Sequence, residues 1–259
     1  MTIDPDPVSV LDTADGERLA YRRLDGKAPG VVFCPGFKSD MTGSKATALE
    51  TLARGIGRAY VRFDYRGHGR STGNFRDGTI GVWLTDLLAI LDALSQGPQV
   101  LVGSSMGGWL ALLAARARPD RVGGLVLVAP APDFTEDLIW DRLSAEDRET
   151  LMRERLLTQP SDYDDGPYEI TAVLIEEGRD HLLLRDTIAV TCPVRILHGM
   201  RDPDVPWRQS IALCEKLASD DVTLTLIKSG DHRLSERADL QRLMTTVESL
   251  CRDIEAVGK

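Results

Sequence analysis

The segment Val100-Leu101-Val102-Gly103-Ser104-Ser105-Met106-Gly107-Gly108-Trp109 joins two different hydrophobic patterns. Its first three residues are typical of a strand covered on both faces, and the apolar run from Trp109 onward predicts a helix. Gly103 and Gly107 flank Ser105, and a tight turn needs residues without side chains where its backbones approach. We therefore predict a strand–turn–helix unit with Ser105 at the turn. The alternative is an inert serine in a glycine-rich turn, because GxSxG occurs by chance in roughly one chain in ten of this length.

Short apolar runs alternate with amphipathic segments on both sides of this unit. Strands are predicted at Leu19–Leu24, Val31–Cys34, Ala59–Phe63, Val100–Gly103, Leu125–Ala129, Val194–His198 and Val222–Ile227, with a weaker one at Val8–Leu11. Helices are predicted at Lys45–Gly55, Ile80–Ser95, Trp207–Ala218 and Ser235–Ala256. This alternation predicts the α/β class, with a mostly parallel eight-stranded sheet flanked by helices.

Residues 133–189 interrupt the alternation, because they contain no convincing strand and are rich in acidic residues. Their turn-rich part spans residues 159–167. A structureless loop of this length is unusual inside a compact domain, so we predict a small helical lid. The chain as a whole, residues 1–259, is expected to form a single domain.

A serine nucleophile needs a histidine base, and the chain has only four histidines. Folds of this kind order their catalytic residues as serine, acid, histidine, which removes His68. His181 lies in the predicted lid, and His198 ends a predicted strand, where a structural hydrogen bond is expected. His232 follows the strand Val222–Ile227, at the edge where α/β sheets place their chemistry. We therefore predict His232 as the base.

The acid is expected between Ser105 and His232, also just beyond a strand. The segment His198-Gly199-Met200-Arg201-Asp202-Pro203-Asp204-Val205-Pro206 offers two candidates. We assign Asp202, which would fix the His232 tautomer and stabilise the imidazolium that forms. Asp204 is interpreted as an outer partner or a loop residue, and Asp133 is a weaker substitute.

An oxyanion hole needs two preorganised N–H donors. We assign one to the backbone of Met106, directly after the nucleophile, and the other to Phe37, in the loop that follows the strand Val31–Cys34. A surface phenylalanine in an ordinary turn is the alternative for Phe37. Leu138, Ile139 and Trp140 are candidate substrate-binding residues in the lid, although such residues are more often plain core.

Composition excludes several other classes of function. A formal net charge of −9 argues against nucleic-acid binding, which needs clustered basic residues, and against docking to an anionic membrane surface. No apolar run has the length of a membrane span. The four cysteines form no CxxC pair, so we expect structural thiols and no metal or redox site. Acyl transfer through a serine requires no metal or organic cofactor, so none is expected. The acidic, proline-bearing start, Met1 to Pro7, resembles neither a signal nor a transit peptide, which predicts a cytoplasmic protein.

Several motifs resemble those of α/β-hydrolases: FDYRGHGRS, GSSMGG, HGMRDPDVPW and GDHR. More narrowly, FCPGF, GSSMGGWL, CPVRILHGMRDPDVPW and DHR resemble a mitochondrial branch described as palmitoyl-protein thioesterases and mycophenolic acid acyl-glucuronide esterases. The resemblance runs from about Tyr21 to Leu250 and implies that Ser105, Asp202 and His232 form a triad. Unlike that branch, the chain is expected to have no mitochondrial presequence, and its lid is expected to be more divergent.

These expectations describe a serine esterase or thioesterase. It would cleave carboxylic ester or thioester bonds of small-molecule or acyl-chain substrates through an acyl-enzyme. The acidic lid does not favour a polyanionic substrate. A lactonase or peptidase using the same triad remains an alternative, as does a non-catalytic binding module of the same fold.

Overall fold

Residues 8–159 and 168–257 are described by the computed structural model, and eight of their strands form one sheet. These strands are β1 (Ser9–Asp12), β2 (Arg18–Leu24), β3 (Lys27–Cys34), β4 (Arg58–Phe63), β5 (Gln99–Ser104), β6 (Val122–Val128), β9 (Val194–Gly199) and β10 (Val222–Ile227). Their spatial order is β1-β2-β4-β3-β5-β6-β9-β10. The pairs β1–β2 and β2–β4 are antiparallel and the remaining neighbours are parallel. The predicted class and the eight-stranded, mostly parallel sheet are confirmed.

Helices cover both faces of this sheet. They are α1 (Ser44–Ile56), α2 (Ile80–Leu94), α3 (Met106–Ala117), α4 (Ala145–Glu154), α5 (Ala172–Gly178), α6 (Arg208–Lys216) and α7 (Arg237–Val257). Alternate residues of β5 show the two layers. Leu101 packs with α2 and α3 on one face, while Val100 and Val102 pack with α1 and α7 on the other. This explains the continuously apolar strands, because a strand covered on both faces has no polar side.

The central position of β5 sets where the chemistry is located. All six of its residues are buried, and it pairs with β3 on one side and β6 on the other. Cys34 lies opposite Gly103, and Ser104 lies opposite Val128. The carboxyl ends of the three strands therefore meet at one edge of the sheet, directly before Ser105.

The segment 133–189 contains two short strands beside its helices, so the expectation that it has no strand is wrong. After a π-helical turn at Thr135–Ile139, a 3-10 turn at Trp140–Arg142 and α4, strands β7 (Leu156–Gln159) and β8 (Tyr168–Thr171) pair antiparallel. Helix α5 follows. Each strand has four residues, which is too short for a period of two to be recognised in the sequence. Most of the predicted turn, residues 160–167, lies outside the described residues.

Two buried or half-buried carboxylates attach this insertion to the rest of the protein. The fully buried Asp133 accepts hydrogen bonds from the N–H groups of Leu183 at 2.7 Å and Leu184 at 2.8 Å, so it ties the two ends of the insertion together. Glu177 of α5 accepts from the N–H of Gly81 at 2.9 Å, in the first turn of α2. Of the helices described, none is long and apolar enough to cross a membrane.

Candidate active site

The Ser105 turn has the geometry that its glycines predict. Ser105 adopts φ 54° and ψ −119°, a conformation that an L-residue adopts only under strain. A Cβ atom on Gly103 would lie 2.4 Å from the Gly107 carbonyl oxygen, and one on Gly107 would lie 2.1 Å from the Cys34 oxygen. Larger residues are therefore excluded at both positions. The turn presents Ser105 at the amino end of α3, where the helix dipole favours negative charge.

A histidine and a carboxylate from the neighbouring loops reach this serine. His232 follows β10, and its Nε2 lies 3.1 Å from Ser105 Oγ. Its Nδ1–H donates to Asp202 Oδ2 at 2.7 Å, and Asp202 follows β9. The three predicted residues therefore form one continuous hydrogen-bonded chain. With Nδ1 protonated, Nε2 is left as the acceptor for the serine proton.

Asp202 is held as an anion by its surroundings. Its side chain is fully buried, and Oδ1 accepts from the N–H groups of Asp204 at 2.9 Å and Val205 at 2.8 Å. Burial alone would raise its pKa. Hydrogen bonds from His198 and His232 outweigh that effect and hold the pKa of Asp202 well below its usual range. Asp202 is therefore ionised wherever the protein is folded at ordinary pH.

His198 supports Asp202 from behind, in keeping with the structural role expected for it. Its Nε2 lies 3.1 Å from Asp202 Oδ2 and 3.0 Å from the Val205 carbonyl oxygen. Because a carbonyl oxygen only accepts, Nε2 must carry a proton. The Ser210 hydroxyl, 2.7 Å from Nδ1, is then the donor to that atom. This arrangement fixes the ring of His198 and one oxygen of Asp202.

The other candidates for acid and base lie elsewhere. Both oxygens of Asp133 accept the Leu183 and Leu184 N–H groups, so it serves the insertion. His181 bonds to Glu177 at 2.7 Å. Asp204 lines the same cavity as Ser105. Asp202, Asp204 and His232 are also a group with the spacing of metal ligands, but Asp202 and His232 already hydrogen-bond to each other.

The two predicted oxyanion donors lie beside the serine. Gly36 brings the loop after β3 so close that a Cβ atom on it would lie 3.4 Å from Ser105 Cβ. Among the described residues, no acceptor is found for the N–H of Phe37 or of Met106. Both amides therefore stay candidates for the two donors of an oxyanion hole.

His68 supports this loop, a role that the sequence did not reveal. The N–H of Lys38, which has φ 55°, donates to His68 Nε2 at 3.2 Å. The opposite ring atom, Nδ1, donates to the Arg66 carbonyl at 3.2 Å. Burial among aromatic rings lowers the pKa of His68 to about 4, which keeps it neutral and able to accept. The sequence signal for this role is the position of His68 after β4. Because β4 pairs with β3, the loops that follow these two strands lie close together.

Ser105 and His232 open into a cavity of about 570 Å³, the size of a small-ligand site. Leu138 and Ile139 line it, as do Tyr168 and Ile170 of the hairpin, which the sequence analysis missed. Trp140 is not among the described lining residues. Its ring instead contacts two guanidinium groups, Arg148 at 5.1 Å and Arg179 at 5.0 Å.

A strained serine between a strand and a helix, with a carboxylate and a histidine after later strands of a mostly parallel sheet, defines the serine hydrolases of the α/β-hydrolase fold. A profile described as "Alpha/beta hydrolase family" matches residues 31–242, and the chain belongs to that family. Membership, together with relatives named as thioesterases, makes the protein an ester or thioester hydrolase.

Three relatives are similar to the chain over almost its whole length. The bovine (Bos taurus) protein "Palmitoyl-protein thioesterase ABHD10, mitochondrial" is 45% identical over 244 residues, 94% of this chain and 79% of the relative. The structure of mouse alpha/beta hydrolase domain-containing protein 10 superposes with a TM-score of 0.90 at 43% identity, over 96% of this chain and 99% of that one. A putative hydrolase from Agrobacterium vitis S4 gives a TM-score of 0.91 at 40% identity, over 95% and 99%.

These relatives correct the predicted location. The curated thioesterases that share 43–45% identity with the chain are named as mitochondrial proteins, so the cytoplasmic prediction is wrong. That prediction rested on the composition of seven residues, whereas the resemblance to the relatives extends over almost the whole chain.

Proposed function

We propose that the protein hydrolyses S-acyl thioesters of proteins through an acyl-enzyme formed on Ser105. The observation that carries this proposal is the hydrogen-bonded chain from Ser105 Oγ through His232 to Asp202, with distances of 3.1 Å and 2.7 Å. It supplies a nucleophile, a base and an anion to stabilise the charged base.

The steps follow from these positions. His232 Nε2 takes the proton of Ser105 as Oγ attacks the thioester carbonyl, and the Phe37 and Met106 amides stabilise the oxyanion. When the carbon–sulfur bond breaks, His232 returns that proton to the leaving thiolate. Water then enters and attacks the acyl carbonyl as His232 removes one of its protons. The bond between the acyl carbon and Oγ breaks, His232 returns that proton to Oγ, and the fatty acid leaves.

The cavity supports an acyl chain as the group transferred. Apolar side chains from the insertion and from the segment after β6 line it, and each buried methylene contributes about 0.8 kcal/mol to binding. The lining residues from these two parts are Ala131, Phe134, Leu138, Ile139 and Ile170, and other elements contribute Phe37, Met106 and Val205. The names of the curated relatives support a palmitoyl group on a protein thiol as the substrate.

A labelling experiment tests the nucleophile. A fluorophosphonate probe should label the wild-type protein and not Ser105→Ala, because the probe reacts with an activated serine oxygen. Ser104→Ala is the matched control, since Ser104 is adjacent and also lines the cavity. Labelling of folded Ser105→Ala would overturn the assignment.

A substrate panel tests whether the protein prefers a thioester or an oxygen ester. Peptides carrying the same palmitoyl group on cysteine or on serine compare the thioester with the oxygen ester at equal chain length. We expect a higher kcat/KM for the thioester and a fall of more than about 10³-fold in Ser105→Ala. Equal or better hydrolysis of the oxygen ester would contradict the proposed substrate.

A further inference from the structure

The oxygen that holds the catalytic histidine, Asp202 Oδ2, accepts from a second imidazole as well. His232 Nδ1 lies 2.7 Å from this oxygen, and His198 Nε2 lies 3.1 Å from it. The other oxygen, Oδ1, accepts two backbone N–H groups. A serine, one histidine and one carboxylate are sufficient for the reaction. The second imidazole is therefore a buried polar group that the mechanism does not use.

A hydroxyl group on α6 fixes the protonation of His198. Ser210 Oγ lies 2.7 Å from His198 Nδ1 and donates to it, which leaves Nε2 as the ring atom with the proton. That proton is shared between Asp202 Oδ2 at 3.1 Å and the Val205 carbonyl oxygen at 3.0 Å. The side chains of Ser210 and His198 are fully buried. The triad is thereby extended by two members, and an unbroken line of hydrogen bonds connects the first turn of α6 to Ser105.

The extra donor weakens the attraction of Asp202 for a proton. Burial raises the pKa of Asp202, and the hydrogen bond from His198 comes first among the contacts that lower it well below its usual range. A carboxylate oxygen that already accepts one N–H also attracts a second N–H less strongly. Removal of the His198 donor would therefore strengthen the bond between Asp202 and His232 and stabilise the charged form of His232.

The resting enzyme needs His232 in its neutral form. Ser105 can give its proton only to a neutral ring, because a protonated imidazole has no free lone pair at Nε2. Strong stabilisation of the imidazolium favours the transition state, but it also lets the base take up a proton from solvent before the substrate binds. An Asp202 oxygen shared by two imidazoles moves this balance toward the neutral ring.

Other charged groups also surround His232. Its two chain neighbours are charged, and a carboxylate oxygen of Asp204 lies within 4.8 Å of one ring nitrogen. The charged residues that neighbour His232, line its cavity or lie close to the lining residue Lys45 are Lys38, Asp40, Lys45, Arg142, Asp204, Asp231, Arg233 and Asp239. All of them are the same in every variant of His198. A difference between two variants at position 198 therefore reports on that side chain.

We propose that His198 is a positioning residue for the catalytic base. Because it shares Asp202 Oδ2, it keeps His232 neutral, and so able to accept the serine proton, at a lower pH than Asp202 alone would allow. Ser210 belongs to the same arrangement, since its hydroxyl group donates to Nδ1 and keeps the ring proton on the side of Asp202. The proposal rests on the triad of the proposed function but not on the thioester, because every acyl transfer by Ser105 begins with the same proton.

Two substitutions of equal length test the shared proton. In His198→Gln the amide Nε2 is as many bonds from Cα as the ring Nε2 and keeps a donor, whereas His198→Met has the same length and no donor. Both leave the substrate contacts in place, since His198 is not among the described residues that line the cavity. The measurement is the rate at which a fluorophosphonate probe labels Ser105 between about pH 5 and pH 9. This rate reports activation of the serine without a leaving thiol.

The pH at which the labelling rate falls to half of its maximum on the acid side is the quantity compared. In His198→Met it should move up by about 0.5 unit, because His232 then takes up its proton at higher pH. In His198→Gln it should stay within about 0.2 unit of the wild-type value. The KM of an activated acetyl ester should change by less than about twofold in both variants. An equal shift in both would assign the effect to loss of the ring and overturn the proposal.

Ser210→Ala is a second test, which remains available if His198→Met does not fold. Loss of the hydroxyl group leaves His198 Nδ1 without its donor and makes Nε2–H a weaker donor, because hydrogen bonds in a chain polarise one another. The acid-side midpoint should therefore move up as in His198→Met, by about 0.2–0.3 unit. Ser219→Ala is the matched control, since Ser219 is also buried but accepts from the Asp221 N–H, outside this line of bonds. It should keep the wild-type midpoint.

The remaining outcomes separate this proposal from the function beneath it. If the probe does not label the folded wild-type protein, the proposed function itself fails. If it labels the wild type, and Ser210→Ala and any folded His198→Met keep the wild-type midpoint, the function stands and the role of His198 is wrong. A downward shift in His198→Met would overturn the proposal too, since it would mean that His198 stabilises the charged base.

Discussion

The catalytic edge of the sheet and the insertion at residues 133–189 hold their functional side chains in different ways. At the edge, backbone geometry and multiple hydrogen bonds fix each group: Ser105 by a strained turn, and Asp202 by two backbone N–H groups and two histidines. In the insertion, half-buried side chains such as Leu138 and Ile139 line the cavity from short turns. The edge therefore determines the reaction, and the insertion shapes what is accepted.

Asp202→Asn gives the largest effect expected from the edge. An amide group cannot accept both the His232 and His198 protons at one atom while keeping its Oδ1 contacts, so His232 loses its orientation. We expect kcat/KM to fall by about 10³- to 10⁴-fold, measured with a palmitoyl thioester. Asp204→Asn is the control and should cost less than tenfold. The reverse ranking would move the acid to Asp204.

Asp133→Ala tests the hydrogen bonds that attach the insertion to the rest of the protein. It leaves the Leu183 and Leu184 N–H groups without their acceptor, and hydrogen bonds to a charged group contribute about 1.5–3 kcal/mol each. We expect the free energy of unfolding in urea to fall by about 3 kcal/mol. The rate of hydrolysis of a palmitoyl thioester should fall more than that of an acetyl thioester.

Asp141→Ala is the matched control for this change, because Asp141 is an exposed acid of the same insertion. It should alter stability by less than about 0.5 kcal/mol. A similar loss of unfolding free energy in both variants would show that Asp133 has no special role in attaching the insertion.

The edge could be predicted from sequence because its signals are local and physical. Glycines at 103 and 107 are required by backbone approach, and buried strands have continuous apolar runs. Histidine elimination then left His232, and the acid had to follow a strand between the two. These constraints act on the local backbone, so they leave recognisable patterns in the sequence. The support from His68 was missed, since it depends on which strands become neighbours.

The insertion could be predicted only in outline. Four-residue strands leave no clear periodicity, so the hairpin with Tyr168 and Ile170 was not foreseen. The π-helical turn at Thr135–Ile139 departs from 3.6 residues per turn. As a result Leu138 and Ile139 line the cavity, while the next residue, Trp140, packs between arginines. Which acidic residues pair and which basic ones line a cavity is decided by tertiary contacts.

His68 makes the edge sensitive to acid. Its pKa in the folded protein is about 4, below the ordinary value of about 6.5, so between these pH values the unfolded chain binds a proton that the folded protein does not. The free energy of unfolding therefore falls as the pH drops through this window. From pH 7 to pH 5 the loss due to His68 amounts to about 2 kcal/mol. His68→Gln should lack this part of the pH dependence in urea unfolding.

His68→Phe sharpens the result, because it keeps a ring in the aromatic cluster and cannot accept the Lys38 N–H. It should also lose the pH-dependent part, and its kcat should fall more than that of His68→Gln, whose side-chain oxygen can accept. If both variants keep the wild-type pH dependence, His68 is not the group that titrates.

Leu138→Ala gives the smallest effect and tests the insertion alone. Removing part of a half-buried side chain from the cavity should weaken binding of a long acyl chain by about 1 kcal/mol, which is about fivefold in KM. The KM of an acetyl thioester should change by less than twofold. Met152→Ala is the control, because Met152 is an exposed apolar residue of the same insertion, on α4. If Leu138→Ala slows the acetyl and palmitoyl substrates equally, the insertion contributes to the reaction itself, and the division of labour between the two regions does not hold.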